Sequence, residues 1–348
     1  MAQPRTRPNG SVSTSSEPRS GAEPQAVDVL FIGGSGRSGS TVLALLLGRL
    51  PGFVPVGGLT NLWERGLQKN YICGCGSHFR ECPFWASVGE EAFGGWENLD
   101  ADEILRLQHA TTRYRHMLWP IGGRRSAYVE NLTEYSSYVT SVYRAVTRVS
   151  GRSIVVDNSH GTPLGFFLGK APGIRAHILH LVRDSRGVAY SGSKQMLRPE
   201  ATASPTYMER YSAAKAGKEW VLANLPYHAK WSSSVPRIRI YYESLVASPT
   251  TEIARIAEFL GSKASPSELS IFADDSIDIA ENHMMSGNPH RLGRGQIQLR
   301  LDDEWRTKMR PTDRTVVTLL TSPLTLAYGY LGGRRSRQAT SGSKVQSV

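Results

Sequence analysis

Residues 27–50, VDVLFIGGSGRSGSTVLALLLGRL, constrain this chain more than any other stretch. Residues 27–33 form an apolar run ending in glycine, the pattern of a buried strand. Residues 33–41, GGSGRSGST, are a Gly/Ser loop with one arginine, and residues 41–50 have the apolar density of a buried helix. Strand, glycine loop and helix open a βαβ unit. Such a loop aims several unpaired backbone N–H groups at one point, where the helix dipole adds partial positive charge. Its glycines let the backbone close around an anion without Cβ clashes. Ser38, Ser40 and Thr41 add hydroxyl donors, and Arg37 adds a charged fork suited to phosphate or sulfate oxygens. The expectation is an anion-binding loop rather than a flexible turn.

Two other phosphate loops compete for these residues. Gly34 and Gly39 have Walker A spacing, but Ser40 stands where the lysine that neutralises β- and γ-phosphates belongs, which counts against a P-loop kinase or NTPase. Gly34 and Gly36 also resemble the start of G-x-G-x-x-G. The acidic ribose residue that follows in dinucleotide folds is missing, since residues 50–58 contain no acid.

The same grammar recurs downstream. Residues 153–156 (SIVV) read as a strand entering the polar turn 157–160, and residues 176–182 (AHILHLV) as another entering Arg183 and a helix. Residues 237–242 (RIRIYY) precede a helix over 249–260 that stops at Gly261. Strands alternating with helices, with polar residues at the strand C-termini, indicate an α/β, P-loop-like three-layer fold with a central parallel sheet. Residues 63–151 read as a largely helical insertion covering the active site and shaping an acceptor pocket. Residues 266–295 read as a long loop, and 302–310 and 313–330 as terminal helices.

The stretch 180–191, HLVRDSRGVAYS, offers a second anion site. Arg183 leaves a strand and Ser191 follows eight residues later, about two helical turns on. Alone it would read as a surface turn; paired with the first loop it reads as a second phosphate contact.

These motifs carry a resemblance. GGSGRSGSTVL is similar to the 5'-phosphosulfate loop of sulfotransferases that use 3'-phosphoadenosine-5'-phosphosulfate (PAPS), the bacterial type with arginine before Ser-Gly-Ser/Thr-Thr in particular. On that resemblance Gly36, Arg37, Ser38, Gly39, Ser40 and Thr41 surround the phosphosulfate, while Arg183 and Ser191 bind the 3'-phosphate. Tyr242, in YYESL with Ser248-Pro249 beyond, resembles the tyrosine near the adenine. Residues 287–295, GNPHRLGRG, resemble a late loop that closes over the 3'-phosphate; Arg294, with Gly295, is preferred there to Arg291. The resemblance spans most of residues 27–330 and implies sulfuryl transfer to a hydroxyl or amine of a small-molecule acceptor (sugar, lipid or natural product), with PAP as product. A PAP- or nucleotide-binding protein without transfer activity is the alternative. It also frames the domains: a disordered leader over 1–26, one sulfotransferase domain over 27–333 and a disordered basic tail over 334–348.

Transfer needs positioning, electrostatic help from Arg37 and a base for the acceptor proton. His160, at the end of a strand, has a suitable pKa. Glu64 is the rival. Relatives often carry a glutamate in a Gly-Glu-Leu/Ile segment, where this chain has Gly57-Gly58-Leu59. No acidic metal cluster is apparent, and no metal is assigned to the site.

Cys73, Cys75 and Cys82 lie within ten residues, in CGCG and CPFW. Reduced structural thiols or a local disulfide rank ahead of a zinc site completed by His78. Three cysteines make no disulfide framework, so a reducing cytoplasm is expected. The net charge is +11, of which +1 falls on the leader and +4 on the tail. The mild excess left on the body suits an anionic ligand, with no basic stripe of the nucleic-acid kind. No run is long and apolar enough for a membrane span.

Overall fold

A computed structural model describes residues 26–117, 125–199, 206–229, 234–262, 264–273 and 276–331. The leader and tail lie outside these residues. The sheet grows from strand β1 (Val27–Gly34), in which every residue but Asp28 is buried. Side chains alternate across a strand, so Val29 and Phe31 enter one core while Leu30 and Ile32 enter the other. A strand buried on both faces belongs to a parallel sheet covered on both sides.

After α1 (Ser40–Leu47) come β2 (Phe53–Gly57), α2 (Pro83–Phe93), α3 (Ala101–Thr111) and α4 (Arg125–Ser150). β3 (Ile154–His160), α5 (Thr162–Leu168), β4 (Ile174–Val182) and α6 (Ser185–Ser193) follow. The remaining long elements are α7 (Ala213–His228), β5 (Arg237–Tyr241), α8 (Tyr242–Ala247), α9 (Pro249–Phe259) and α10 (Pro311–Ala327). The sheet order is β2-β3-β1-β4-β5, all parallel. Tyr135, Val139, Val142 and Val146 of α4 cover Val29 and Phe31. On the opposite face Leu43 and Leu47 of α1, with Ile253 and Ile256 of α9, cover Leu30 and Ile32. The three layers expected from the sequence are therefore present, and the insertion between β2 and β3 supplies one of them.

Three expectations change. The turn placed at 157–160 is still strand, because β3 runs on to His160. The loop expected over 266–295 holds a short capped helix (Pro266–Ser270) and one strand of an antiparallel ribbon, Ser276–Ile279 with Gly295–Gln298. Of the helix expected over 302–310, only Trp305–Lys308 is helical, and a new helix starts at Pro311. No described helix is long and apolar enough to cross a membrane.

Candidate functional site

Parallel pairing brings the C-terminal ends of β1, β3 and β4 side by side. Gly33 of β1 pairs with His160 of β3 and with His180 of β4. β1 and β4 are neighbours whose following helices pack on opposite faces, α1 with Leu43 and Leu47 in one core and α7 with Tyr227 in the other, and such a switch point is where open α/β sheets form their ligand crevice. A cleft of about 620 Å³ opens there, within the range of small-ligand sites.

The loop after β1 forms its floor. Gly34 has φ of +124° and stands so close to the Leu181 carbonyl that a Cβ would lie 2.4 Å from its oxygen. Arg37 has φ of 64°, the left-handed region that non-glycine residues seldom occupy. Gly39, at φ +89°, caps α1 and presses on the Tyr242 ring, which a Cβ would meet at 2.7 Å. Left-handed residues at this turn aim successive N–H groups inward, the concavity that binds anions. Gly36, Arg37, Gly39, Ser40 and Thr41 all line the cleft. Ser38 is buried and does not, although its Oγ has no protein partner.

The second motif meets the first. Arg183, Ser191 and Tyr242 line the same cleft. Arg183 Nη1 donates to the Arg37 carbonyl at 2.9 Å, its Nη2 lies 3.0 Å from Asp302 Oδ2, and its guanidinium lies over the Tyr242 ring at 4.5 Å. Burial pushes the Tyr242 phenol above its ordinary pKa, with the Arg183 charge acting against that rise. The Arg37 guanidinium donates to the Met196 thioether at 2.9 Å, a weak acceptor. Burial, with Arg198 nearby, lowers its pKa. Among the described residues of the lining, Arg65, Arg198 and Arg300 add to Arg37 and Arg183, against Glu209 and Asp302, an electropositive balance.

His160 lines the cleft at φ 66°. Burial first, then the Arg37 charge, push its imidazole down to about 4. The end of β3 before it is fixed by Asp157, whose Oδ1 accepts from the Ser159 N–H and hydroxyl while its Oδ2 accepts from the Tyr143 hydroxyl at 2.6 Å. Burial raises the Asp157 carboxyl, and its hydrogen bonds oppose the rise. Asn158, between Asp157 and His160, is a residue that sequence reasoning passed over. It lines the cleft, and both its amide atoms are buried without a protein partner. The buried Nε of Arg198, also on the cleft, is unpartnered too.

Glu64 is not among the cleft residues; its carboxylate pairs with Lys69, which lowers its pKa. Gly58 has its own explanation. Its N–H donates to Ser286 Oγ at 2.8 Å, and a Cβ there would lie 2.9 Å from that oxygen, so Ser286 fills the space of a larger side chain.

Arg294 and Gly295 stand apart from the cleft lining. The ribbon register sets Ile279 opposite Gly295, which leaves Arg294 at the ribbon end, where Nη2 donates to the Cys75 carbonyl. Neither residue lines the cleft, and Arg291 is wholly buried, donating to the Met284 and Ile72 carbonyls. The late segment reaches the cleft through Ser286, Gly287, Asn288 and His290, then through residues 297–300 and Asp302. The Asn288 N–H donates to Thr41 Oγ1 at 2.9 Å, joining this wall to the start of α1.

The comparisons with known proteins bear on this arrangement. No curated protein is found to match the chain. Among solved structures the chain is similar to the sulfotransferase domain from the curacin biosynthetic pathway, at 19% identity and TM-score 0.48, over 86% of this chain and 98% of that one. It is also similar to the sulfotransferase domain of the Synechococcus PCC 7002 olefin synthase, at 18% identity and TM-score 0.47, over 87% and 97% of the two chains. The model of the sulfotransferase family matches residues 29–266, more than half of the chain, and the protein belongs to that family.

Proposed function

We propose that this protein transfers the sulfuryl group of PAPS to a hydroxyl or amine of a small-molecule acceptor. The observation that carries the reading is the convergence of two anion motifs, 146 residues apart, on one cleft, where Arg183 donates to the carbonyl of Arg37. The residues fit such a ligand. Left-handed Arg37 and Gly39 form a cradle for an oxyanion; among the described residues the Arg37 guanidinium meets a thioether acceptor, and the Arg198 Nε and Asn158 amide have no partner. A buried donor left unpaired costs about 1–3 kcal/mol, which sulfate or phosphate oxygens would recover.

In this reading the N–H groups of residues 36–41, with Arg37, take the 5'-phosphosulfate. Arg183 and Ser191 take the 3'-phosphate, and Tyr242 supports that end. The acceptor oxygen or nitrogen attacks sulfur in line, the bond from sulfur to the bridging oxygen breaks, and PAP leaves with that electron pair. The acceptor proton passes to His160, which is uncharged at neutral pH and therefore has a free lone pair. The incoming anion offsets the Arg37 charge and makes His160 more basic when the donor is bound. Asn158 positions the sulfuryl oxygens or the acceptor. Charge grows on the leaving phosphate, where fixed N–H groups act with most effect. We read residues 27–333 as one working unit, since the cleft draws on both β1 and the late segment. A reducing compartment, the cytoplasm, suits three thiols drawn together without a disulfide.

The test is direct. Labelled PAPS is incubated with a panel of sugar, lipid and phenolic or polyketide hydroxyl acceptors, and PAP binding is measured by calorimetry. Transfer to any acceptor, together with PAP binding, supports the reading. PAP binding without transfer across the panel would make the chain a nucleotide-binding protein, and absence of PAP binding would remove the donor assignment.

A further inference from the structure

The cysteine block gains a fourth member that no local spacing announces. Cys73, Cys75, Cys82 and His283 each aim one ligand atom into a region where all four atoms lie within 4.8 Å of one another. His78, the histidine expected to complete a zinc site, instead has Nδ1 at 2.7 Å from the Asn70 carbonyl. His283 lies 201 residues beyond Cys82, in the segment that leads into the cleft wall.

The spacings discriminate between the chemistries open to such a cluster. Cys75 Sγ to Cys82 Sγ is 3.6 Å and Cys82 Sγ to Cys73 Sγ is 3.7 Å. A disulfide needs about 2.05 Å. Zinc ligands at about 2.3 Å for sulfur and 2.0–2.1 Å for nitrogen, placed at the corners of a tetrahedron, stand about 3.8 Å apart for two sulfurs and about 3.5 Å for sulfur and nitrogen. His283 Nδ1 lies 3.4 Å from Cys82 Sγ and 3.8 Å from Cys73 Sγ. Four of the six edges thus lie close to those of a zinc tetrahedron, and all four ligand atoms stay within 4.8 Å of one another.

The surroundings hold the ligands in place. The Phe84 ring stacks on the His283 imidazole at 4.6 Å and 8°, and Trp85 Nε1 donates to the His283 carbonyl at 2.8 Å. A Cβ on Gly74 would lie 2.1 Å from Asn282 Oδ1, so only glycine lets the two segments approach this closely.

We propose that Cys73, Cys75, Cys82 and His283 bind one zinc ion as a structural site. Four protein ligands leave no open position, which separates it from catalytic zinc. On binding, each thiol that becomes a ligand releases its proton to solvent, and no redox change occurs. The ion fastens residues 73–82 to the segment that continues through Met285, whose N–H donates to the Val56 carbonyl, and Ser286, which accepts from Gly58. It therefore braces the late wall of the cleft without touching the ligand.

The experiment is elemental analysis of the full chain purified without added metal or chelator, with thiol titration under native and denaturing conditions. The expected result is one zinc per chain, with the three thiols unreactive until the metal is chelated or the chain is unfolded. Cys82→Ser and His283→Ala lose the zinc, and His78→Ala keeps it. Cobalt exchanged into the wild-type protein gives the intense visible absorption of a tetrahedral thiolate site, a readout that survives if a variant fails to fold. Metal-free wild type with three readily titrated thiols, or with a disulfide, overturns the proposal. Zinc retained in His283→Ala and lost in His78→Ala overturns the assignment of the fourth ligand. None of these readouts depends on sulfuryl transfer.

Discussion

Arg183 and Arg37 are joined by a hydrogen bond from a side chain to a backbone carbonyl, 2.9 Å long. The segment after β4 thereby helps hold the loop after β1 in its left-handed turn. Arg183→Ala should lower PAP affinity by roughly 10–100-fold, the range for losing charge-assisted hydrogen bonds, and AMP affinity by less. Ser191→Ala leaves this scaffold intact and should weaken PAP by a smaller factor. Calorimetry with PAP and AMP checks both, and equal affinity of the wild type for the two nucleotides would remove the 3'-phosphate role.

Arg37→Ala removes the guanidinium and keeps the carbonyl that Arg183 uses. The melting temperature should therefore stay near that of the wild type while turnover with PAPS falls. Near-normal turnover would show that the guanidinium does not reach the donor.

Gly39→Ala tests the cradle itself. An L-residue at φ +89° is strained, and its Cβ meets the Tyr242 ring. The expected cost is about 1–3 kcal/mol of stability, read as a lower urea midpoint, together with loss of PAP binding.

His160 supplies the pH dependence. Its pKa is about 4 in the folded chain against an ordinary 6.5, so the unfolded chain binds more protons between those values. The folded state then loses stability as pH falls from 6.5 towards 4, and His160→Gln should flatten that part of the profile. His180, buried and pushed down to about 3, loses stability through the same window and continues below it, so the difference between wild type and variant is the relevant readout. In catalysis the acidic limb of kcat/KM should lie near pH 4 rather than 6.5, and Arg37→Ala should move it upward.

The rival bases separate by mutation. His160→Ala should lower kcat by roughly 10²–10⁴-fold with little change in PAP affinity. Glu64→Gln should have a small effect, because that carboxylate faces Lys69 away from the cleft. The opposite ranking would transfer the role to Glu64.

The opening strand, loop and helix were legible because local sequence alone builds them; β3 and β4 announced themselves by apolar runs, and β5 by arginine alternating with isoleucine. β2 did not, since Pro55 sits in FVPVG and proline argues against a strand. The sheet order puts β2 at an edge, where a missing N–H costs little. Arg294 stands apart from the cleft lining because it ends a ribbon of two short strands, whose pairing no local pattern announced. Asn158 looked like part of a polar turn, whereas β3 runs through it to His160 and the cleft. His283 carried no signal at all, being brought to the cysteines by tertiary structure.

The shared hydrogen bond between Asn288 and Thr41 has a consequence for how this family can be divided experimentally. The family match ends at residue 266, after the last strand of the sheet, yet Thr41 at the head of α1 is engaged by a residue 22 positions later. A fragment cut at that boundary would retain every strand of the main sheet and both anion motifs, but it would lack the backbone donor that fixes the Thr41 hydroxyl. The matched region thus leaves out a segment that lines the cleft. Deletion studies, fusions and chimaeras on this scaffold should place their joints beyond the terminal helix, after Ala327.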